Sequence, residues 1–482
     1  MIKSTLLQKI QQLETVARQL EPDMHERQNL GNEVLNYAEN FINTIYDVNA
    51  YNTLEDGLPD LLSSPISEEP LDISKTLNLL KEHVNDPGLN PASHGHLGYI
   101  PGGGIYTSAL GDYLADVTNE YAGISLAGPG AVQMENMLID WMAKIVGYPV
   151  TTGGNLASGG SIANLIAIVT ARDAFGIKSK SIPKTVIYST AHAHHCMNKS
   201  FRIAGLDECV QRVVPMDENF RMDEHELEKL IVVDKKKGLK PWMIVASAGT
   251  TDVGAVDPLD AIASIAKKYN IWFHIDGAYG GFFILTKEGK KKLKGIEKSD
   301  SLVLDPHKGL FLPYGLGVVL VKDRDLLKDS HYYMPNYLQD ALEEKYSPAN
   351  LSPELTKHFR GLRLWLPLKL HGLKPFKACL EEKLLLARYF YQEVQKIDGF
   401  ETLIEPELSV VSFRYLPKSG SANQFNEKLI KEIHKDGRVF LSSTTIDGTF
   451  VLRLAILAFR SHKWTVDLTL KILKEMVELI AN

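Results

Sequence analysis

Residues 271–309 of the chain have the sequence IWFHIDGAYGGFFILTKEGKKKLKGIEKSDSLVLDPHKG. The apolar run at 271–275 ends at Asp276, and the apolar run at 301–304 is soon followed by Lys308. The segment between the two runs is long enough for a helix, so the runs predict parallel strands of one sheet. Since parallel strands end at the same edge of a sheet, we expect Asp276 and Lys308 to lie close together.

The same alternation extends over residues 130–325. Short apolar runs are separated by segments with helical periodicity, and this order favours an α/β fold with a mainly parallel sheet. The predicted strands are 185–188, 243–246, 271–275, 301–304 and 318–321, and the predicted helices are 132–146, 162–175 and 258–268.

The remaining pattern divides the chain into three parts. Residues 1–90 predict a helical N-terminal segment, 91–365 a large α/β domain and 366–482 a small α+β domain. Turn residues between 85 and 104 mark the first boundary. Residues 322–360 are polar and contain several tyrosines and prolines, which predicts a mobile loop. In the small domain we expect helices at 375–396 and 422–435 and strands at 408–414 and 450–457.

The first helix carries an apolar stripe. Its members recur at intervals of three and four residues and share one helix face. This face packs either against the chain's own core or against a second subunit. The stripe consists of Leu6, Ile10, Leu13, Ala17 and Leu20.

Composition excludes several classes of protein. Hydrophobic residues make up 44% of the chain and charged residues 23%, as in ordinary globular proteins. The 53 basic and 59 acidic residues give a net charge of −6, which argues against nucleic-acid binding. With only 3 cysteines, no secretory signal and no apolar window of about 20 residues, we expect a cytoplasmic protein that does not enter a membrane.

Residues 305–308, Asp-Pro-His-Lys, directly follow a predicted strand. A lysine at such a strand end can form a Schiff base with a carbonyl compound, and burial would lower its pKa. An ordinary exposed loop is the alternative. The small residues after Asp276 would allow a flat ligand to approach the carboxylate.

A glycine- and serine-rich loop at 153–161 precedes a predicted helix and suits a phosphate group. It matches neither of the glycine-rich nucleotide motifs, which argues against NAD and ATP. The cluster His192–Cys196 lacks the spacing of a zinc site, so we predict no metal there. An imidazole stacked on a flat ring explains the cluster better, with satisfied loop histidines as the alternative.

Together these features indicate a flat aromatic ligand that carries a phosphate, a ring nitrogen and an aldehyde. Pyridoxal 5′-phosphate has all of these groups. The sequence resembles the pyridoxal-phosphate-dependent amino-acid decarboxylases of the aromatic-L-amino-acid, tyrosine and glutamate decarboxylase group. The matching motifs include 98–101, 158–164, 274–279, 305–308 and 440–444.

The resemblance implies a large coenzyme-binding domain of the aspartate-aminotransferase type (fold type I). It also implies a homodimer, with residues 1–90 as a dimer arm and the sites near the subunit interface. By the resemblance, Lys308 forms the Schiff base, Asp276 pairs with the ring nitrogen and His194 stacks on the ring, with His192 as the rival. The other residues that it assigns to the coenzyme are Gly160, Ser161, Thr250, Ala278, His307 and Asp305, the last in place of an asparagine in some animal members.

The resemblance implies decarboxylation of a free L-amino acid to its amine and CO2. Tyr337 resembles the loop tyrosine that donates a proton, and Tyr332 and Tyr333 are its rivals. We expect an aromatic substrate, while glutamate, histidine and diaminobutyrate stay open. Other chemistry on the same coenzyme also stays open: carbon–carbon cleavage like that of sphingosine-phosphate lyase, oxidative aldehyde formation or transamination. Residues predicted either to line a side-chain pocket, possibly across a dimer, or to belong to the core are His96, Leu97, Tyr99 and Ile100.

Overall fold

The computed structural model describes residues 2–53, 60–333 and 346–481. The N-terminal segment contains helices and one small antiparallel pair of strands. Its second helix begins with a capping box, in which Asp23 and Glu26 each accept a backbone hydrogen bond from the other at 2.9 Å. The elements are α1 (Ile2–Ala17), α2 (Met24–Asn43), β1 (Tyr51–Asn52), α3 (Ile73–Leu80) and β2 (Gly88–Leu89).

The centre of the molecule is a seven-stranded sheet. Nearly all of its strand residues are buried except on β5 at one edge, which explains the near-continuous apolar runs in the sequence. Its strands are β3 (Gly153–Ala157), β4 (Thr185–Ser189), β5 (Val210–Val213), β6 (Lys240–Ser247), β7 (Trp272–Asp276), β8 (Ser301–Leu304) and β9 (Gly317–Val321).

The strand order is β3-β9-β8-β7-β6-β4-β5. Every neighbouring pair is parallel except the two pairs that involve β9. The predicted α/β class with a mainly parallel sheet is therefore confirmed. Strands β7 and β8 are direct neighbours, with Asp276 opposite Val303, so the residues that follow both strands emerge at one edge.

Helices cover the two faces of this sheet, as the connections between parallel strands require. The helices of this part of the chain, of which α4 packs on α13 and α11 is a single turn, are α4 (Tyr106–Thr118), α5 (Pro129–Val146), α6 (Gly160–Ala174), α7 (Cys196–Ile203), α8 (Glu224–Lys236), α9 (Leu259–Tyr269), α10 (Lys287–Lys292), α11 (Pro306–Gly309), α12 (Arg324–His331) and α13 (Arg360–His371).

The C-terminal part forms a four-stranded antiparallel sheet of order β10-β11-β13-β12. Helices pack on it and share one apolar core with its strands. The elements are α14 (Lys374–Val394), β10 (Phe400–Thr402), β11 (Val410–Tyr415), α15 (Ala422–Asp436), β12 (Ser442–Ile446), β13 (Thr449–Ala455) and α16 (Lys463–Ala481). A small α+β unit is therefore present, while the division at 90/91 and 365/366 stays a prediction.

One expectation needs correction, and one open alternative is resolved. The predicted mobile loop at 322–360 contains α12, which Asp323 caps and whose Leu327 is fully buried, and it also contains the start of α13. The amphipathic pattern of α12 is only eight residues long, too short to stand out among polar neighbours. The stripe on α1 does not pack against the chain's own core, because its leucines and Ile10 are 48–87% exposed.

In the part of the chain that the structure describes, no helix has both the length and the apolar character needed to cross a bilayer.

A buried ion pair connects α5 to the segment before α13. The Nζ atom of Lys357 lies 2.6 Å from Oε2 of Glu135, and the two residues are 8% and 2% exposed. The other oxygen of Glu135 accepts the N–H of Gly361 at 3.1 Å. Removal of one partner would leave an uncompensated charge in the interior.

We predict that Lys357→Met lowers the free energy of unfolding by about 3–5 kcal/mol, because it leaves the Glu135 carboxylate buried without its cation. The matched control is Lys229→Met, which breaks a pair of the same 2.6 Å length in which the lysine side chain is 69% exposed. The control should change the free energy of unfolding little, because an exposed ion pair contributes little to stability. Urea unfolding measures the free energy of unfolding of both variants. Equal losses of stability would contradict the argument that burial makes the loss of Lys357 costly.

Candidate active site

A cavity of about 300 Å³ opens at the carboxyl ends of β7 and β8. It brings together all nine described residues that the sequence assigned to the coenzyme, namely Lys308, Asp276, His194, Gly160, Ser161, Thr250, Ala278, His307 and Asp305. The rest of its lining consists of Ser158, Gly159, Ile162, Asn164, Cys196, Ser247, Gly249, Thr251 and Tyr279.

Lys308 lies in the single turn of α11, directly after β8. Its Nζ atom is 3.1 Å from Oδ2 of Asp305, and Nε2 of His307 is 3.6 Å from the same oxygen. Burial alone would lower the pKa of Lys308. The carboxylates of Asp305 and Asp276 raise this pKa by more than burial lowers it, so the net pKa lies above the ordinary lysine value. The expected lowering is therefore wrong, because two carboxylates outweigh desolvation here.

Asp276 ends β7 and is 9% exposed. Its Oδ1 accepts the N–H of Ala278 at 3.1 Å, and its Oδ2 accepts Nδ2 of Asn164 at 3.2 Å. Among the described residues, no side-chain cation lies within 4 Å of this carboxylate. It is therefore an ionisable acid held by neutral donors at the wall of the cavity.

The predicted loop at 153–161 is shorter than expected, because residues 153–157 form β3 and α6 begins at Gly160. Only Ser158 and Gly159 connect the two elements. A Cβ atom on Gly160 would lie 2.9 Å from Oδ2 of Asp305 and 3.2 Å from Cβ of Ala278. A Cβ on Gly317 would approach the backbone of Gly159 to 2.4 Å. Glycine therefore lets this helix N-terminus, with its free N–H groups, come close to α11 and β9.

Thr250 belongs to a turn between β6 and α9. Its N–H donates to the carbonyl of Ala255 at 2.8 Å, and its Oγ1 accepts the N–H of Ala255 at 3.1 Å. Arg453 on β13 donates to the carbonyls of Thr251 and Asp252, the latter at 2.8 Å. The small C-terminal sheet thus fixes a loop of the cavity wall.

The two candidate stacking histidines have different environments. His194 lines the cavity, and its Nδ1 accepts the N–H of Cys196 at 3.2 Å. Burial lowers the pKa of His194, against a smaller opposing effect of Asp276, so the ring is neutral at pH 7. His192 lies outside the cavity lining and stacks on Phe220 at 5.4 Å between ring centroids. In the described residues, no three His, Cys, Asp or Glu side chains are grouped as a metal would require.

The structure describes two of the three candidate loop tyrosines, Tyr332 and Tyr333. Tyr337 lies outside the described residues. Of its rivals, Tyr332 packs beneath Nζ of Lys328 at 4.9 Å from the ring centroid, and Tyr333 is 81% exposed. Neither lines the cavity.

The predicted side-chain pocket at 96–100 is mostly core. His96 and Leu97 are fully buried and Ile100 is 6% exposed, and none of them lines the cavity. Tyr99 is 61% exposed, so it alone can contact another molecule. Tyr99 and Ile100 both have positive φ, at 60° and 104°, which is strained for a β-branched residue such as isoleucine.

The cavity fits pyridoxal phosphate by three observations. Asp276 offers a buried carboxylate that has no cation among the described residues. Glycines 159 and 160 leave a cradle at the N-terminus of α6, where a phosphate would meet backbone N–H groups. The Oδ1 atom of Asp305 is buried and, among the described residues, has no hydrogen-bond partner.

Two residues that connect to Asp276 by hydrogen bonds, one directly and one through the other, were not predicted as part of the site. Asn164 hydrogen-bonds Asp276 directly, and His274 hydrogen-bonds Asn164 with 2.8 Å between Nε2 and Oδ1. The signals were present: His274 lies two residues before Asp276 on a strand, and Asn164 lies three residues after Ser161 on a helix.

Comparisons with known proteins agree with this site. The family model of the pyridoxal-dependent decarboxylase conserved domain matches residues 68–416. An aromatic-L-amino-acid decarboxylase of Bacillus atrophaeus is 32% identical over 448 residues, which cover 91% of this chain and 93% of that protein. A phenylacetaldehyde synthase of Arabidopsis thaliana is 28% identical over 480 residues, which cover 94% of this chain and 96% of that protein.

The crystal structure of Oryza sativa TDC with PLP and tryptamine has the same fold. It superposes with a TM-score of 0.90 at 24% identity and covers 95% of this chain and 99% of that chain. The family match extends over most of the large α/β domain and both strand ends that form the cavity. This chain is a member of the pyridoxal-phosphate-dependent decarboxylase family.

Proposed function

We propose that this protein decarboxylates a free aromatic L-amino acid and releases CO2 and the corresponding amine. The observation that carries the proposal is the opening of Lys308 and Asp276 onto one cavity from neighbouring parallel strands. The aromatic preference is supported by the aromatic-L-amino-acid decarboxylase that is 32% identical over nearly the whole chain.

Each residue of the cavity has a proposed task. Lys308 would hold the coenzyme covalently through its amine, His194 would stack on its ring, and Ala278 would contact the ring as a small residue of the cavity wall. The N-terminus of α6 with Gly160 and Ser161 binds the phosphate. His307, Asp305 and Thr250 complete the coenzyme site.

When bound, the coenzyme supplies a conjugated ring that accepts the electron pair left behind by CO2. Asp276 keeps the ring nitrogen protonated, because a buried carboxylate favours a cation beside it. The proton that Asp276 would keep on the ring nitrogen lets the ring accept negative charge, and this lowers the energy of the transition state more than that of the ground state. The surrounding wall must hold the substrate carboxylate so that the bond to CO2 is the one that breaks.

A proton must then reach the carbon atom that lost CO2. We propose Tyr337 as its donor, because Asn336-Tyr337-Leu338 resembles the segment that carries the loop tyrosine of the family. A tyrosine at this position favours simple decarboxylation over oxidative aldehyde formation. Loops of this kind close over the substrate and often limit turnover.

We also propose that the protein is a homodimer and that α1 lies against the partner subunit. Residues 5–20 are all exposed, including Leu13 at 61% and Leu20 at 87%. A contiguous apolar face of this size is unusual on a monomer. A second exposed apolar group lies on α4, where Tyr113 is 66% and Val117 65% exposed. Tyr99 would reach the substrate of the neighbouring subunit.

We infer a reducing, cytoplasmic location from the cysteines. All three are free thiols, and Cys196 and Cys209 are buried. Burial raises the pKa of Cys196 to about 12, so its thiol is not activated.

The proposed function predicts which amino acids release CO2. In a screen of the proteinogenic amino acids and 3,4-dihydroxyphenylalanine, aromatic substrates should give CO2 and amine in equal amounts without ammonia. Lys308→Arg, which keeps the charge but cannot attach the coenzyme, should abolish both products. Ammonia and aldehyde equal to CO2 would identify an aldehyde synthase, and CO2 from glutamate alone would refute the aromatic preference.

For the proton donor, we predict that Tyr337→Phe still binds coenzyme and substrate but releases amine about 100-fold more slowly, the usual contribution of a general acid. Amine release measured by chromatography tests this. Tyr333→Phe is the matched control, because that ring is 81% exposed outside the cavity and its loss should change little. Unaltered amine release in Tyr337→Phe would remove this tyrosine from the mechanism.

For the dimer, we predict that Leu13→Glu raises the dimer dissociation constant at least tenfold, or about 1.4 kcal/mol, by placing a charge in an apolar interface. Sedimentation velocity over a range of concentrations measures this constant. Gln8→Glu is the control on the opposite face of α1 and should leave it unchanged. A monomeric wild type, or equal effects of the two substitutions, would contradict the proposed interface.

A further inference from the structure

We infer that Trp272, Ser301, His274 and Asn164 form a buried hydrogen-bond chain that donates in one direction only and ends on Asp276. These four are positioning residues: the chain fixes the Asp276 carboxylate as a pure acceptor that faces the cavity. Its effect on the coenzyme rests on the role proposed above for Asp276, whereas the direction of the chain does not.

The chain consists of four contacts. Nε1 of Trp272 lies 2.9 Å from Oγ of Ser301, and this Oγ lies 2.8 Å from Nδ1 of His274. Nε2 of His274 lies 2.8 Å from Oδ1 of Asn164, whose Nδ2 lies 3.2 Å from Oδ2 of Asp276. The five residues are at most 9% exposed, so water does not compete for these contacts.

The contact at the Asp276 end of the chain determines its direction. The indole N–H of Trp272 can only donate, so Ser301 accepts from it and keeps its single hydroxyl proton for a second partner. A serine oxygen can also accept a second hydrogen bond, so the direction at His274 is set from the other end. An ionised carboxylate can only accept, so Asn164 presents its amide nitrogen to Asp276.

His274 is therefore neutral and carries its proton on Nε2, from where it donates to Oδ1 of Asn164. Burial lowers the pKa of His274 to about 4, against a smaller opposing effect of Asp276. The ring thus stays neutral at pH 7 and keeps one donor and one acceptor. No other tautomer satisfies both of its contacts.

The second N–H of the Asn164 amide supports the same orientation. Nδ2 of Asn164 lies 3.5 Å from Sγ of Cys196, and burial keeps this sulfur protonated at pH 7. The amide nitrogen thus faces two acceptors, a carboxylate and a sulfur, while the amide oxygen faces the imidazole. A flipped amide would place its oxygen against the Asp276 carboxylate.

The fold explains how these residues meet. Trp272, His274 and Asp276 alternate along β7 and so share one face of the sheet. Ser301 on β8 is the register partner of His274. Asn164 lies on α6, the helix whose N-terminus forms the proposed phosphate cradle. The hydrogen-bond chain therefore connects Trp272, the first residue of β7, to Asp276 and to the helix that forms the proposed phosphate cradle.

Removal of the Ser301 hydroxyl, which lies outside the cavity, should change the cavity wall through the imidazole of His274. Without the Ser301 hydroxyl, nothing holds Nδ1 of His274 as an acceptor, and the proton can move to the other ring nitrogen. Asn164 would then turn its oxygen toward Asp276, and the two oxygens would repel each other. Neither Trp272 nor Ser301 lines the cavity, so direct loss of a coenzyme contact is excluded.

The test compares Ser301→Ala with the wild-type protein by two measurements. Correlation spectra of protein labelled with ¹⁵N in histidine side chains, recorded without coenzyme, report the tautomer of His274, assigned with His274→Gln. Titration with pyridoxal phosphate gives its dissociation constant. We expect the Nε2–H tautomer in the wild type, mixed tautomers in Ser301→Ala and about tenfold weaker coenzyme binding, equivalent to about 1.4 kcal/mol.

Three further variants make the test specific. Ser301→Thr keeps the hydroxyl and should restore both properties. Trp272→Phe breaks the chain at its first donor and should act in the same direction if Ser301→Ala does not fold. Ser299→Ala is the matched control: this buried hydroxyl lies 2.6 Å from the Tyr148 hydroxyl, outside the chain, and its loss should leave the tautomer and the affinity unchanged.

An Nδ1–H tautomer or an imidazolium in the wild type would overturn the inferred direction. An unchanged tautomer and affinity in folded Ser301→Ala and Trp272→Phe would overturn the chain as a positioning device. If the tautomers behave as expected but the wild type binds no coenzyme, the proposed function fails while the chain stands.

Discussion

The structure of this protein depends on one geometric constraint: β7 and β8 are parallel neighbours and end at the same edge of the sheet. Asp276 closes the first strand, and Lys308 follows the second after a single turn. The parallel pairing brings a carboxylate and a lysine amine to the wall of one cavity. The loop before α6 lines another part of this cavity.

The charges in this cavity are mutually dependent. The charges of the Asp305 and Asp276 carboxylates keep the pKa of Lys308 above the ordinary value in spite of burial. Asp276 has neutral donors on both oxygens but, among the described residues, no cation within 4 Å. A coenzyme with a protonated ring nitrogen and an aldehyde supplies what each group lacks: a cation for Asp276 and a covalent partner for Lys308.

The sequence predicted the central strands closely, because their apolar runs are buried on both faces and end at turn residues. It also predicted nine cavity residues, mainly through the family motifs. It did not reveal α12, whose eight residues are mostly polar, or the burial of His96 and Leu97 in the core. It missed Asn164 and His274 because their importance lies in contacts between elements that are far apart in sequence. It misjudged the pKa of Lys308 because burial was considered without the carboxylates of Asp305 and Asp276.

The most direct test of this account is to locate the covalent attachment of the coenzyme. Borohydride reduction of the holoenzyme makes the linkage to a lysine permanent, and mass spectrometry of peptides then identifies the modified residue. The account predicts the added mass on the peptide that contains Lys308, and none in Lys308→Arg. Stable modification of a different lysine in the wild type, or coenzyme that binds without becoming attached to any lysine, would contradict it.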